Sequence, residues 1–215
     1  MPHLSALVIP LVVLAASAAQ AAAARPHPAE FGRLCAASAM AEKNKDYAAA
    51  IHAMQSYQQR GGDPFISALR LGWLHFQARE YASASQAYRQ AATMQPSSLN
   101  ALLGILNATE ALQDVRKTGL AADAVLRVEP TNYRALMVLA GLHFAHKDYR
   151  KAAAEYSRVL VNYPDDPDAL SGAGWAALRN EDQATAAARF SLLLGINPDY
   201  PKAREGYDLA NRIAR

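Results

Sequence analysis

Apolar and small residues recur along this chain at three- and four-residue steps, as in Leu136, Leu139 and Ala140, which is the spacing of one face of a helix. The helical stretches are short, and polar turns such as Lys147-Asp148-Tyr149 interrupt them. The alternation is itself periodic. Tyr47, Tyr81 and Tyr149 share one column of a 34-residue frame, and Ala50, Ala84, Ala152 and Ala186 share a second. Met54, Tyr88, Tyr156 and Phe190 share a third. Pro96, Pro130, Pro164 and Pro198 punctuate the frame. Proline disfavours helix in the residue before it, so the second helix of a unit is predicted to stop near Asn162. A period of this length signals stacked supersecondary units, each reading as helix, turn, helix, turn.

The residue types in the columns follow from packing. Where paired helices cross closely the chain has glycine or alanine: Gly72, Ala140 and Gly174 on first helices, with Ala84, Ala152 and Ala186 opposite. Tyr47, Tyr81 and Tyr149 are expected to plug the open end of each hairpin. Tyr88, Tyr156 and Phe190 are expected to reach the next unit. One unit cannot bury its apolar face alone, so neighbours must stack. The predicted fold class is all-α, with five units at 31–64, 65–98, 99–132, 133–166 and 167–200. A capping helix is predicted over 201–215, where Arg204, Asp208 and Arg212 replace the apolar residues of inner units. Two units diverge. In the first, Ala37 and Ser38 replace the usual Leu-Gly pair, and Gly61-Gly62-Asp63 runs out of phase before Pro64. The third has Val115 for the tyrosine, Thr118 for the alanine, and Gly119 inside its second helix, at a cost of ~1 kcal/mol.

Composition changes this picture only at the N-terminus. Across 215 residues, 19% are charged, and the net charge of +3 is too weak and scattered to argue for nucleic acid. A single cysteine, Cys35, excludes an intramolecular disulfide and reads as small core filler. Residues 4–16 are almost wholly apolar and residues up to 24 are alanine-rich, so 1–24 reads as a secretory signal peptide. Ala19-Gln20-Ala21 and Ala22-Ala23-Ala24 offer small residues for cleavage, at or just before Arg25. No Lys or Arg precedes Arg25, and an uncleaved membrane anchor is the alternative. Residues 25–30, with Pro26 and Pro28, read as a linker. Cys35 does not suit lipid attachment, because Arg33 stands where a small residue is needed. The expected location is the periplasm or the outside of the cell.

In these columns the chain resembles the tetratricopeptide repeat family. The second unit supplies Leu71-Gly72, Tyr81, Ala84, Tyr88, Ala91 and Pro96. The fourth supplies Leu136, Leu139-Ala140, Tyr149, Ala152, Tyr156 and Pro164. The fifth supplies Leu170, Gly174, Ala186, Phe190, Leu193 and Pro198, with Gln183 where the tyrosine would be. The resemblance covers roughly 31–212. It implies a right-handed α-solenoid whose first helices line a concave groove, and a scaffold or adaptor that binds a protein or peptide there. For an exported member, the expected partner is a component of an envelope assembly. Helical phase puts Leu69, Trp73 and Phe76 on that face in the second unit, and Asn100, Leu103 and Asn107 in the third. The fourth offers Arg134, Met137 and Phe144, and the fifth offers Ser171, Trp175 and Arg179. Trp73 and Trp175 fall outside the packing columns, which makes them the sharpest candidates for partner anchors. The competing reading has these aromatics packing between repeats as core. Cys35 and Ala39 stand where members that grip acidic C-termini need Lys and Asn, so that clamp is not expected.

Other chemistry is sparse. His143 and His146 have no third ligand at suggestive spacing, and His75 and His143 share a column, which favours packing over metal. Glu42, Asp46 and Glu80 read as solvated or capping groups at helix ends. Asn107-Ala108-Thr109 matches a glycosylation sequon but falls within a predicted helix. With no phosphate loop and no acid, base or nucleophile constellation, no enzyme, cofactor or metal is expected. A self-associating module, using the first unit and Cys35, is the second functional class the sequence admits.

Overall fold

The computed structural model describes residues 28–213, so the leader read over 1–24 lies outside the described residues. Among the described residues there are eleven helices and no strand. They are α1 (Pro28–Lys43), α2 (Tyr47–Gln59), α3 (Pro64–Gln77), α4 (Tyr81–Met94), α5 (Leu99–Ala111) and α6 (Val115–Val128). Then follow α7 (Tyr133–Ala145), α8 (Tyr149–Asn162), α9 (Pro167–Arg179), α10 (Gln183–Ile196) and α11 (Ala203–Ile213). Each helix packs on its neighbours in sequence, and α3 with α5, α7 with α9 and α9 with α11 also touch. The result is a right-handed all-α solenoid of five helix pairs closed by α11. No helix of the described residues is long and apolar enough to cross a membrane. Proline suits the first turn of a helix, and α1 begins at Pro28, so residues 28–30, expected as linker, form its opening turn.

Local sequence sets the ends of these helices. Asp46, Asp114, Asp148 and Asp182 cap the second helices by accepting from the backbone N–H three residues on, each at 3.0 to 3.4 Å. Asp63, Ser98, Asn132 and Asp166 do the same for first helices. Such a cap stabilises by about 1 kcal/mol. Glu80 is the exception: its carboxylate meets the His75 Nδ1 at 2.6 Å and makes no cap bond. Every turn within a pair passes through the left-handed region in the same column, at Lys45, Arg79, Gln113, Lys147 and Glu181, with φ between 57° and 63°. The residue after each donates back across the turn, as Asp46 N does to Ala41 O at 2.8 Å, and this bond holds the strained backbone.

The core is a stack of small residues around one large column. Tyr88 of α4 is 6% exposed and Phe190 of α10 is fully buried. Each ring lies between two first helices, its own and the next. A Cβ added at Gly72 or Gly104 would come within 2.7 or 2.5 Å of the Tyr88 ring. Gly174 and Gly206 stand the same way against Phe190, and Gly172 against Tyr156. These glycines lie 16 residues before and after their ring, because that offset returns the chain to the facing helix at the same height. The large column thus reaches the next unit, as expected, and fills its own as well. In the third pair the pattern inverts. Ala122 takes the ring's position, and Leu106 before it and Val138 after it are large, all three buried in one cluster. The bulk at the junction comes from α5 and α7 and not from α6. Gly119 lies within α6, which runs unbroken around it.

Candidate functional site

The first helices of the pairs line one face, and three hollows follow one another along it. The first, about 470 Å³, lies between α3 and α5 and is lined by Leu69, Trp73, Asn100, Leu103 and Asn107, with Tyr88 and Gly104 at its floor. The second, about 270 Å³, lies between the α5–α6 turn and α7, against Val115, Thr118, Arg134 and Met137. The third, about 430 Å³, is formed by Phe144, Tyr156, Gly172, Trp175 and Arg179, and is closed by Lys202, Glu205 and Leu209 at the terminal helix. A fourth hollow lies between the second helices α4 and α6, against Leu120 and Arg89.

The candidates from sequence distribute among the first three. Leu69, Trp73, Asn100, Leu103 and Asn107 come together in the first. Arg134 and Met137 share the second, and Phe144, Trp175 and Arg179 share the third. Phe76 and Ser171 line none of them. Phe76 packs on Tyr81 with ring centroids 5.3 Å apart, and Phe144 packs on Tyr149 at the same distance. The turn tyrosine therefore plugs the hairpin by gripping a phenylalanine of the first helix. The third pair has Glu110 and Val115 in those two positions, and the second hollow opens there.

The two tryptophans are held differently. Trp73 is 42% exposed, and its indole Nε1 donates to Glu42 Oε1 at 2.6 Å. Arg70 donates to the other oxygen of Glu42. Glu42 is therefore a bridge from α1 to α3 and not the solvated helix-end group expected from sequence. Burial raises its carboxyl pKa, but the bonds from Trp73 and Arg70 outweigh that, and the net position is below the ordinary value. Trp175 is half-buried, with its ring edge-on to Phe190 at 5.3 Å, so it is joined to the core while lining the third hollow. Arg134 is bonded to Glu110 of α5, a second acid–base bridge between first helices.

Sequence reasoning assigned Tyr88 and Tyr156 to packing alone. They are also the floors of the first and third hollows. The signal was present in Gly104 and Gly172, which sit 16 residues after each ring and admit it against their backbone. Elsewhere tyrosine hydroxyls act as staples: Tyr133 donates to Asp166 at 3.1 Å and Tyr200 to Asp168 at 2.6 Å. Burial first, and these carboxylates second, push both phenols up to about 12. Burial alone takes Tyr88 to about 12. Among the described residues no group of three or more His, Cys, Asp or Glu gathers as a metal site would need.

A family model described as tetratricopeptide repeat matches residues 35–99, 69–117, 110–167 and 142–201. No curated protein matches the sequence. Among solved structures, the fold is similar to a tetratricopeptide repeat protein from Parabacteroides merdae, with a TM-score of 0.71 at 16% identity over 86% of this chain and 74% of that one. It is similar to MamA, with a TM-score of 0.70 at 15% identity over 81% and 94% of the two chains. It is also similar to YrrB, described as a TPR protein with an unusual peptide-binding site, at a TM-score of 0.64 and 12% identity over 82% and 88%.

Proposed function

The chain belongs to the tetratricopeptide repeat family, and from that premise we propose that it is a non-catalytic adaptor whose concave face holds an extended segment or helix of a partner protein. The observation that carries this reading is the pair of aromatic-floored hollows on one face, Trp73 over Tyr88 and Trp175 over Tyr156. Both lie where a glycine in the next helix lets a ring pack against its backbone, with the ring's edge lining the hollow. Aromatic side chains in partly desolvated hollows are the usual anchors of protein interfaces. Asn100 and Asn107, two helical turns apart on α5, give the first hollow amide groups able to bond a partner's backbone. The likeness to YrrB, whose description names a peptide-binding site, supports the same reading.

The test is Trp73→Ala. Trp73 is exposed and its only bond is to Glu42, so the variant keeps its helical circular dichroism. Capture of a crosslinked partner from cells that make the protein is expected to fall at least severalfold. Undiminished capture would end this reading for the first hollow. Location is part of the proposal: residues 1–24 direct export, and the partner is a component of an envelope assembly. N-terminal sequencing of the protein from its own cells is expected to begin at or next to Arg25; a chain beginning at residue 1 or 2 contradicts it. One observation favours self-association as a second reading. Met40 on α1 is 61% exposed, and the Cys35 thiol on the same helix is exposed and not the core filler expected from sequence. Mass in solution with and without reductant separates the two.

A further inference from the structure

The hollow beneath the terminal helix differs from the other two in what its polar groups are bonded to. In the first, the Trp73 indole and the Arg70 guanidinium are both bound to Glu42. In the second, Arg134 is bound to Glu110. In the third, Arg179 and Lys202 make no ion pair with any described residue. The Tyr156 hydroxyl and the Trp175 indole N–H likewise have no acceptor among the described residues. Glu205 lines the same wall and pairs with neither cation. Asp168, the carboxylate that acts on Tyr156, already accepts from Tyr200 at 2.6 Å. Four unspent donors, two of them cationic, therefore surround an aromatic floor with a single free carboxylate.

The two cations stand at different levels of the cleft. Lys202 occupies the column of Asp168 at the start of α9, and Arg179 closes the end of that helix, 11 residues on. At 1.5 Å per residue that is ~16 Å along the axis of α9, which is across the groove. An extended chain covers the distance in about five residues. Between the two levels lie Gly172, Trp175 and Tyr156, and about 430 Å³ of space, enough for a large apolar side chain.

We propose that the third hollow receives a partner segment in which a bulky apolar side chain is flanked on both sides by carboxylates. This rests on the reading that the concave face binds protein segments, and it adds a direction: the acidic part of the partner lies at the C-terminal end of the solenoid. Of the three hollows, this is the one whose lining cations make no ion pair with a described residue.

A phage-displayed random 12-residue peptide library, panned against the full chain at low salt, tests it. Wild type is expected to enrich peptides with Asp or Glu on both sides of Phe, Trp or Leu. Arg179→Gln with Lys202→Gln removes both charges at exposed positions, and circular dichroism verifies that the helices are kept. Panning that variant is expected to lose the acidic positions, whereas Trp73→Ala retains them. A synthetic peptide of the enriched sequence, followed by fluorescence anisotropy, is expected to bind roughly 1.5- to 5-fold more weakly for each cation removed, the range for exposed ion pairs. Enriched peptides that lack acidic positions, or that bind the Arg179/Lys202 variant as well as wild type but fail on Trp73→Ala, overturn this assignment and leave the groove reading standing. No enrichment by wild type, or binding insensitive to both sets of changes, overturns both.

Discussion

The junction between the second and third helix pairs and the junction between the third and fourth place the same helix positions face to face with opposite side chains. At the first, Tyr88 projects from α4 and Gly72 and Gly104 recede on either side. At the second, Ala122 recedes on α6 and Leu106 and Val138 fill the space. The consequences differ. A glycine in the facing helix admits the ring and lets α5 lie close on α4, and the ring's edge lines a hollow. Where Val138 stands instead, α6 packs on α7 less extensively than α4 on α5, and an ion pair between Glu110 and Arg134 spans the first helices. The same contrast recurs between α2–α3, with Arg70 in the glycine position and the Glu42 bridge, and α8–α9, with Tyr156 and Gly172. From α2 to α9, tight, aromatic junctions alternate with looser ones spanned by charge, and the last junction, Phe190 on Gly206, is again aromatic. The aromatic hollows sit at the tight ones.

The largest effect that separates the two kinds is loss of a ring. Phe190→Ala is expected to destabilise by about 3–5 kcal/mol, because a fully buried ring leaves a cavity between two glycine-bearing helices. Urea unfolding measures it, and a loss below about 1 kcal/mol would remove the ring as the keystone of its junction. Next comes the receding partner. Gly104→Val forces a side chain into the Tyr88 ring and is expected to cost about 1–3 kcal/mol and to close the first hollow. The same change at Gly141, which has nothing within contact distance, lacks the steric part of that penalty. The inverted junction gives a sharper test by double-mutant cycle. Ala122→Tyr overpacks against Leu106 and Val138, and Val138→Gly relieves it, so the pair is expected to be at least about 0.5 kcal/mol more stable than the sum of the singles. Additivity would mean the volumes are not exchanged as described.

How much of this was legible in the chain depends on the kind of residue. The repeat and the helix order follow from columns filled alike in most units, since every unit solves one packing problem, and the cap helix follows from Arg204, Asp208 and Arg212, which replace the apolar residues there. Trp73 and Trp175 stood out because they fall outside the columns, and helical phase alone put Asn100 and Asn107 on the same face as Trp73. Gly104, Gly172 and Gly206 were not found, because a period of 34 residues compares a position with its own equivalents, and the partner of a ring lies at half that separation less one. The role of Glu42 was hidden for a different reason. A carboxylate near a helix end looks the same whether water or a neighbouring Arg70 and Trp73 receive it, and only the stack brings those together. The left-handed turns carried no glycine or asparagine to announce them; Lys45, Arg79, Gln113, Lys147 and Glu181 are held there by the bonds across the turn.

Smaller effects should follow the titratable groups. Tyr88, Tyr133 and Tyr200 ionise near 12 in the folded chain against 10 for a free phenol, so stability they contribute is intact below pH 10 and is lost between pH 10 and 12. Tyr88→Phe, which keeps the ring, is expected to flatten that alkaline decline in thermal melts. Glu42 moves the other way. Its folded pKa lies below 4.5, so its contribution is present above pH 4.5 and disappears as the pH falls through the folded value. Glu42→Gln should remove that acid-side slope. Smallest of all is Glu110→Gln at the looser junction, whose partners are each nearly half exposed; it is expected to cost under about 1 kcal/mol and to do so only at low salt.

The central claim is that the face with the aromatic hollows is the one a partner covers. The most direct measurement places a photo-crosslinking benzoylphenylalanine at Leu103, in the first hollow, or at Leu120, 57% exposed on the second helix α6, and irradiates cells that make each variant. The account predicts a discrete crosslinked partner from position 103, absent or much weaker from position 120. A partner captured from 120 and not from 103, or equally from both, would contradict it.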